Sequence, residues 1–150
     1  MPDDTMAPHK ITPKSLNDYL EAMTKPVFQA GISWKVVEAK WAGIREALYG
    51  FDVKRIARMG PPDVDKLAQD TRVIRNRRKL EAIVGNAQRM IDLDKEHGSF
   101  KKYLRSHGDF GTTVKALRKD FKFLGDMGCY HFLYVVGEEV PAHEAWMETH

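Results

Sequence analysis

One tryptophan stands where an aromatic ring can do chemistry. Gln29-Ala30-Gly31-Ile32-Ser33-Trp34 places an indole at a helix entrance, straight after a glycine and an aliphatic side chain. That layout suits opening a stack of flat rings and holding one of them. An indole face attracts electron-poor or cationic rings, and stacking one base on an aromatic side chain is worth about 1–3 kcal/mol. A tryptophan near a helix start also reads as ordinary core, and the residues alone leave both readings open.

A second segment, Leu124-Gly125-Asp126-Met127-Gly128, lies between two helical patterns. Its glycines allow a tight turn and a close approach of backbone amides to a ligand. A helix N-terminus with free N–H groups favours a phosphate oxygen. A plain turn between helices can hold two glycines as well. The third segment is a run of cations, Arg72, Arg75, Arg77, Arg78 and Lys79, with no acid among residues 72–79. Cations at a helix start oppose the helix dipole, which points to a polyanionic partner or to a solvated basic face. Near the C-terminus, Glu138 and Glu139 flank a turn, where acids are commonly just solvated.

The elements that must position these groups are helical. Val37, Trp41, Ile44 and Leu48 fall on one helix face, with Ser33 as its cap and Gly50 as its stop. Asp52 caps a short helix over 53–59, Gly60-Pro61-Pro62 breaks the chain, and 63–70 forms another short helix. Leu80, Ile83, Val84, Ala87 and Ile91 mark a long helix over about 76–97, ended by Gly98. Ser99 opens a segment to 106, a further helix spans 113–120, a hairpin spans 121–128, and a helix follows from Cys129 to Val136. A last short helix is expected after Pro141. No strand alternation of convincing length, repeat or low-complexity tract is present. The 150 residues are 43% hydrophobic and 30% charged, which fits a single soluble all-α domain over 15–150 behind a flexible segment over 1–14.

Charge is unevenly distributed. All 24 Lys and Arg lie within residues 1–122, where 16 acids leave a net +8, while the remaining residues carry five acids and no base. A basic body favours a nucleic-acid partner. The absence of a membrane-length apolar run and of a signal pattern predicts a cytoplasmic location without membrane contact. A single cysteine, Cys129, excludes an internal disulfide and a cysteine-rich zinc site.

Three segments, taken in order, carry a resemblance: Gln29 to Trp34, Arg75 to Ile83, and Phe121 to Gly125. Together they resemble the 3-methyladenine DNA glycosylase I family of helix-hairpin-helix repair enzymes, over about residues 15–143. The resemblance implies an all-α helix-hairpin-helix domain, acting as a monomer on duplex DNA and flipping a damaged purine base into a pocket. It implies that Trp34 and Gln29 line the base pocket and that Gly31 and Ile32 form the wedge in the duplex. It also places Gly125, Met127, Gly128, Arg75, Arg77, Arg78 and Lys79 on the DNA backbone.

Departures accompany the likeness. The resembled enzymes carry a Glu eight residues before this tryptophan, where the chain has Pro26. Their N-terminal Cys and His zinc ligands have no counterpart, and the position four after His143 is Met147, so no cofactor and no zinc are expected. The catalytic Asp of the wider helix-hairpin-helix group falls at His143, in Val140-Pro141-Ala142-His143, so the resemblance leaves Glu138, Glu139 or His143 to position water, with Glu144 nearby as a further substitute. Two function classes follow: an enzyme hydrolysing the N-glycosidic bond of alkylated adenine, or a weak or inactive module of the same fold that only binds damaged DNA.

Overall fold

The computed structural model describes residues 9–142. Among them are eight α-helices, one 3-10 turn and no strand. Helix α1 (Leu16–Gln29) buries Tyr19, Leu20, Met23, Val27 and Phe28. The sequence reading starts its helices only at Ser33. Pro26 obscures α1, because a proline normally ends or kinks a helix. Here it stands in the last turn and still accepts a bond from the Ala30 amide at 3.2 Å.

Helix α2 (Trp34–Ala47) starts as expected, with the Ser33 hydroxyl accepting from the Lys35 amide at 3.2 Å. Its Val37, Trp41 and Ile44 are buried, and the Trp41 ring stacks on Phe51 at 5.4 Å. The chain leaves α2 through a 3-10 turn (Tyr49–Phe51) whose three residues all have positive φ. For Tyr49 and Phe51 this is strained backbone, held by the complete burial of Phe51. Helix α3 (Val53–Ala57) is capped by Asp52, as its sequence predicts. Pro61 and Pro62 do more than break the chain. They form the first turn of α4 (Pro61–Leu67), where a missing N–H leaves nothing unsatisfied.

Helix α5 (Arg77–His97) is the long helix of the sequence reading, capped by Asn76 and closed by left-handed Gly98. Helix α6 (Phe100–Arg105) follows Ser99, and α7 (Phe110–Asp120) starts three residues earlier than expected, because Asp109 caps it. Residues 121–125 make the hairpin. Helix α8 (Asp126–Val135) then begins before Cys129, since Gly125 is its cap and accepts from the Cys129 amide at 2.9 Å. Helix α1 lies between α5 and α8, α3 and α6 pack on α5, and α7 packs on α8. Before α1, the Ile11 amide donates to the Val135 carbonyl at 2.7 Å. The helix expected after Pro141 falls outside the described residues. Among those described, no helix is long and apolar enough to cross a membrane.

One buried side chain fixes the hairpin. Asn86 of α5 is 2% exposed. Its amide donates to the Lys122 carbonyl at 3.2 Å and accepts from the Lys122 N–H at 2.9 Å. The next residue, Phe123, has φ 60 and is exposed. Removing the amide leaves two backbone groups unpaired, so Asn86→Ala is expected to lower the unfolding free energy by about 1–3 kcal/mol. Urea denaturation measures this; a change under about 0.5 kcal/mol, the scatter of ordinary surface substitutions, contradicts it.

Candidate functional site

The loop joining α1 to α2 carries the wedge and pocket residues of the sequence reading. Gly31 takes a left-handed φ of 80 with nothing within 4 Å of its added Cβ position. The Ile32 amide donates back to the Gln29 carbonyl at 2.9 Å. Ile32 is half-buried and packs partly on the core, so it is less exposed than its sequence context suggests.

Lys79 corrects the sequence reading. It was expected on the DNA backbone, but it is buried and its ammonium turns inward. Nζ donates to the Phe28 carbonyl at 3.0 Å and the Ala30 carbonyl at 2.6 Å. A buried cation needs partners, and the C-terminal carbonyls of α1 supply both hydrogen bonds and the negative end of a helix dipole. Burial lowers the Lys79 pKa below its ordinary value. The periodicity held this signal, since Lys79 stands four residues before buried Ile83 on α5.

Trp34 lies at the half-buried edge of the fold, whereas Trp41, further along α2, belongs to the core. The Trp34 ring meets the His131 imidazole of α8 at 5.4 Å. The Lys25 ammonium of α1 sits 5.9 Å from the Trp34 ring centre and 5.1 Å from that of Trp41. It is also 3.0 Å from the Glu38 carboxylate, one turn beyond Trp34. Two polar atoms, Gln29 Nε2 and His131 Nε2, are buried without a hydrogen-bond partner among the described residues. Burial, and then the nearby Lys25 charge, push the His131 pKa down to about 4, against a smaller opposing effect of Glu38. His131 is therefore neutral at pH 7. Pro26 lies where α1 meets α8, and a Cβ on Gly128 would stand 3.5 Å from the Pro26 Cβ. Lys25, Glu38 and His131 escape a sequence reading because they come from three separate helices and share no motif.

In the hairpin, the amides of Asp126, Met127 and Gly128 have no partner within α8, as in any helical first turn. The Asp126 carboxylate pairs with Arg118 at 2.8 Å. A Cβ on Gly125 would meet nothing within 4 Å, so the space beside this cap residue is open. Met127 and Phe123 are exposed beside it. The basic run is thinner than its sequence suggests. Arg72 pairs with Glu46 and Asp70, and Arg77 pairs with Asp65 and Glu81. Arg75 and Arg78 are exposed and make no ion pair among the described residues.

The acids expected to position water are not gathered around Trp34. Both Glu138 oxygens accept from Arg105 at 3.1 Å, and the Glu138 side chain is only 12% exposed. This is a correction: a carboxylate held on both oxygens by a guanidinium is not free to activate water. Glu138 and exposed Glu139 line a cleft of about 700 Å³ with Arg105, Asp109, Phe110 and Pro141. Neither Trp34 nor His131 lines that cleft. His143 lies outside the described residues. No group of three or more His, Cys, Asp or Glu able to hold a metal occurs among the described residues. Buried Cys129 has its thiol pushed up to about 12 by burial, so it does not fit as a thiolate ligand.

A family model described as methyladenine glycosylase matches residues 13–120. The chain belongs to this family. The DNA-3-methyladenine glycosylase of Haemophilus influenzae is 35% identical over 130 residues, covering 73% of this chain and 70% of that protein. DNA-3-methyladenine glycosylase 1 of Escherichia coli is 32% identical over the same length and coverage. Among solved structures, 3-methyladenine DNA glycosylase I from Staphylococcus aureus superposes with a TM-score of 0.76 at 27% identity, over 86% of this chain and 80% of that one. A variant of 3-methyladenine DNA glycosylase I in complex with 3-methyladenine gives the same TM-score and identity, over 86% and 81%. The all-α methyladenine glycosylase fold expected from the sequence is thus the fold observed.

The imidazole makes a pH prediction for this family member. The His131 pKa is depressed from 6.5 to about 4. Between those values the unfolded chain binds a proton that the folded chain refuses, so stability falls as pH drops from 6.5 towards 4 and levels off below. Wild type is expected to lose about 1–3 kcal/mol more than His131→Phe across this range in urea titrations. Parallel pH profiles contradict the assignment.

Proposed function

We propose that this chain is a DNA-3-methyladenine glycosylase that flips an alkylated adenine out of duplex DNA and hydrolyses its N-glycosidic bond. The observation that carries the reading is the half-buried Trp34, held at the loop beside a wedge-sized Ile32 and outside the core. Family membership supports the reaction, and the relatives named above are glycosylases of this lesion. The protein works as a cytoplasmic monomer in this reading.

The geometry gives each part a task. The amides in the first turn of α8 take a phosphate oxygen, and Arg75 and Arg78, exposed and without an ion pair among the described residues, are cations free to meet the DNA backbone. Ile32 enters the gap left by the extruded base, and Trp34 stacks on that base, offsetting the few kcal/mol that flipping costs. An adenine alkylated at N3 is cationic while attached to the sugar. When its bond to C1′ breaks, the electron pair goes to the purine N9 and neutralises the base. Water adds its oxygen to C1′ and releases a proton to solvent. This leaving group needs no general acid, which suits a Trp34 site whose neighbouring imidazole, His131, is neutral.

The second reading, a binding module that recognises the lesion without excising it, is favoured by one feature: the Pro26 side chain cannot accept a hydrogen bond, donate one or titrate at the position where the resembled enzymes carry Glu. Release of free 3-methyladenine from methylated duplex DNA separates the two. The enzyme reading expects release, and Trp34→Ala is expected to weaken lesion binding relative to intact duplex by about 1–3 kcal/mol. Lesion-selective binding without release establishes the module. Equal affinity for both duplexes, with no release, refutes both.

A further inference from the structure

The cluster around Trp34 contains its own cation. Lys25 Nζ lies over the Trp34 and Trp41 rings and 3.0 Å from the Glu38 carboxylate. An aromatic face and a carboxylate are the two contacts that a flat cation takes from a protein. We propose that Glu38 is the carboxylate that selects a positively charged base, and that Lys25 is an intramolecular stand-in which the base displaces. The inference rests on the base-flipping reading above and names the charge state of its substrate.

Three observations support it. First, the Lys25–Glu38 pair is easily opened. The two side chains are 27% and 41% exposed, and partly exposed ion pairs are weak. The ammonium can swing into water at small cost, whereas a buried pair would lock the site. Second, the other acid on this side is already engaged. Glu21 accepts from Trp41 Nε1 at 2.9 Å and lies 3.8 Å from Arg45. Pro26, beside Lys25 in the chain, offers no carboxylate, so Glu38 is the acid left next to Trp34 among the described residues. Third, the other neighbour of the Trp34 ring is His131, which stays uncharged and adds no repulsion towards a cation.

Displacement conserves charge at Glu38. In the empty site the carboxylate faces Lys25, and in the occupied site it faces the alkylated adenine, which takes over the indole face. Once the glycosidic bond breaks, the base becomes neutral and loses its advantage over the ammonium. Lys25 then returns to Glu38 and Trp34 and helps expel the product. A neutral lesion gains nothing from Glu38 at any stage.

The test compares charged and neutral versions of one lesion shape. The first readout is kcat/KM for release of 3-methyladenine from methylated duplex; the second is Kd for duplex carrying the uncharged 3-deaza-3-methyladenine. Glu38→Gln is expected to lower the first by about five- to tenfold and to move the second less than about twofold. Lys25→Met keeps the methylenes on the indole and removes the competing cation, so the first readout is expected to rise about two- to fivefold. Equal losses in both readouts for Glu38→Gln, or a fall in 3-methyladenine release for Lys25→Met, overturn the inference. A wild-type protein that releases no 3-methyladenine refutes the activity itself, and this inference with it.

Discussion

A buried ammonium, Lys79, is the contact on which the geometry around Trp34 depends. It reaches across from the first turn of α5 to the last carbonyls of α1 and closes on Phe28 and Ala30. A lysine without partners at such a position would cost several kcal/mol and would lose its proton. Two carbonyl acceptors and the negative end of α1 offset much of that cost. Because the cation is stable only there, the end of α1 is pinned to α5. The loop over residues 30–33 and the start of α2 therefore begin from a fixed point.

Helix α5 holds the other half of the site by a second polar contact. Asn86, seven residues after Lys79, grips the hairpin backbone at Lys122. Seven residues span two turns, or about 10 Å along the helix, and point the two side chains to one face. The loop over residues 30–33 and the start of α8 are thus both hung from one rigid element. Their separation is set by the length of two helical turns, independently of either loop's own conformation. Helix α1 completes the frame by packing on α8, with Pro26 against Gly128, which brings His131 to Trp34.

Much of this architecture was legible in the sequence because it is local. Ser33, Asp52 and Asn76 or its neighbours announce helix starts through short-range hydrogen bonds, and the apolar stripe of α5 follows from its period alone. The family likeness was legible from three ordered segments. What escaped was long-range. Helix α1 was hidden by Pro26, whose effect on one turn outweighs in sequence what burial of Met23, Val27 and Phe28 decides in the fold. The basic run looked like one surface, yet Lys79 turned inward and Arg72 and Arg77 found acids 26 and 12 residues away, at Glu46 and Asp65. The Lys25, Glu38 and His131 cluster around Trp34 depends on three helices meeting, and nothing in local spacing encodes such a meeting. Glu138 was legible as an acid near the expected place, but its commitment to Arg105 was not.

Helix α5 thus positions the loop over residues 30–33 through Lys79 and the hairpin through Asn86, as two separate clamps. Amide hydrogen exchange of Lys79→Met, compared with wild type, tests this most directly. The methionine keeps the stem and removes the charged head. Exchange is predicted to accelerate at residues 30–34 while residues 122–128 keep their wild-type protection, since only the first clamp is released. Unchanged exchange at 30–34, or an equal acceleration over both segments, would contradict the account.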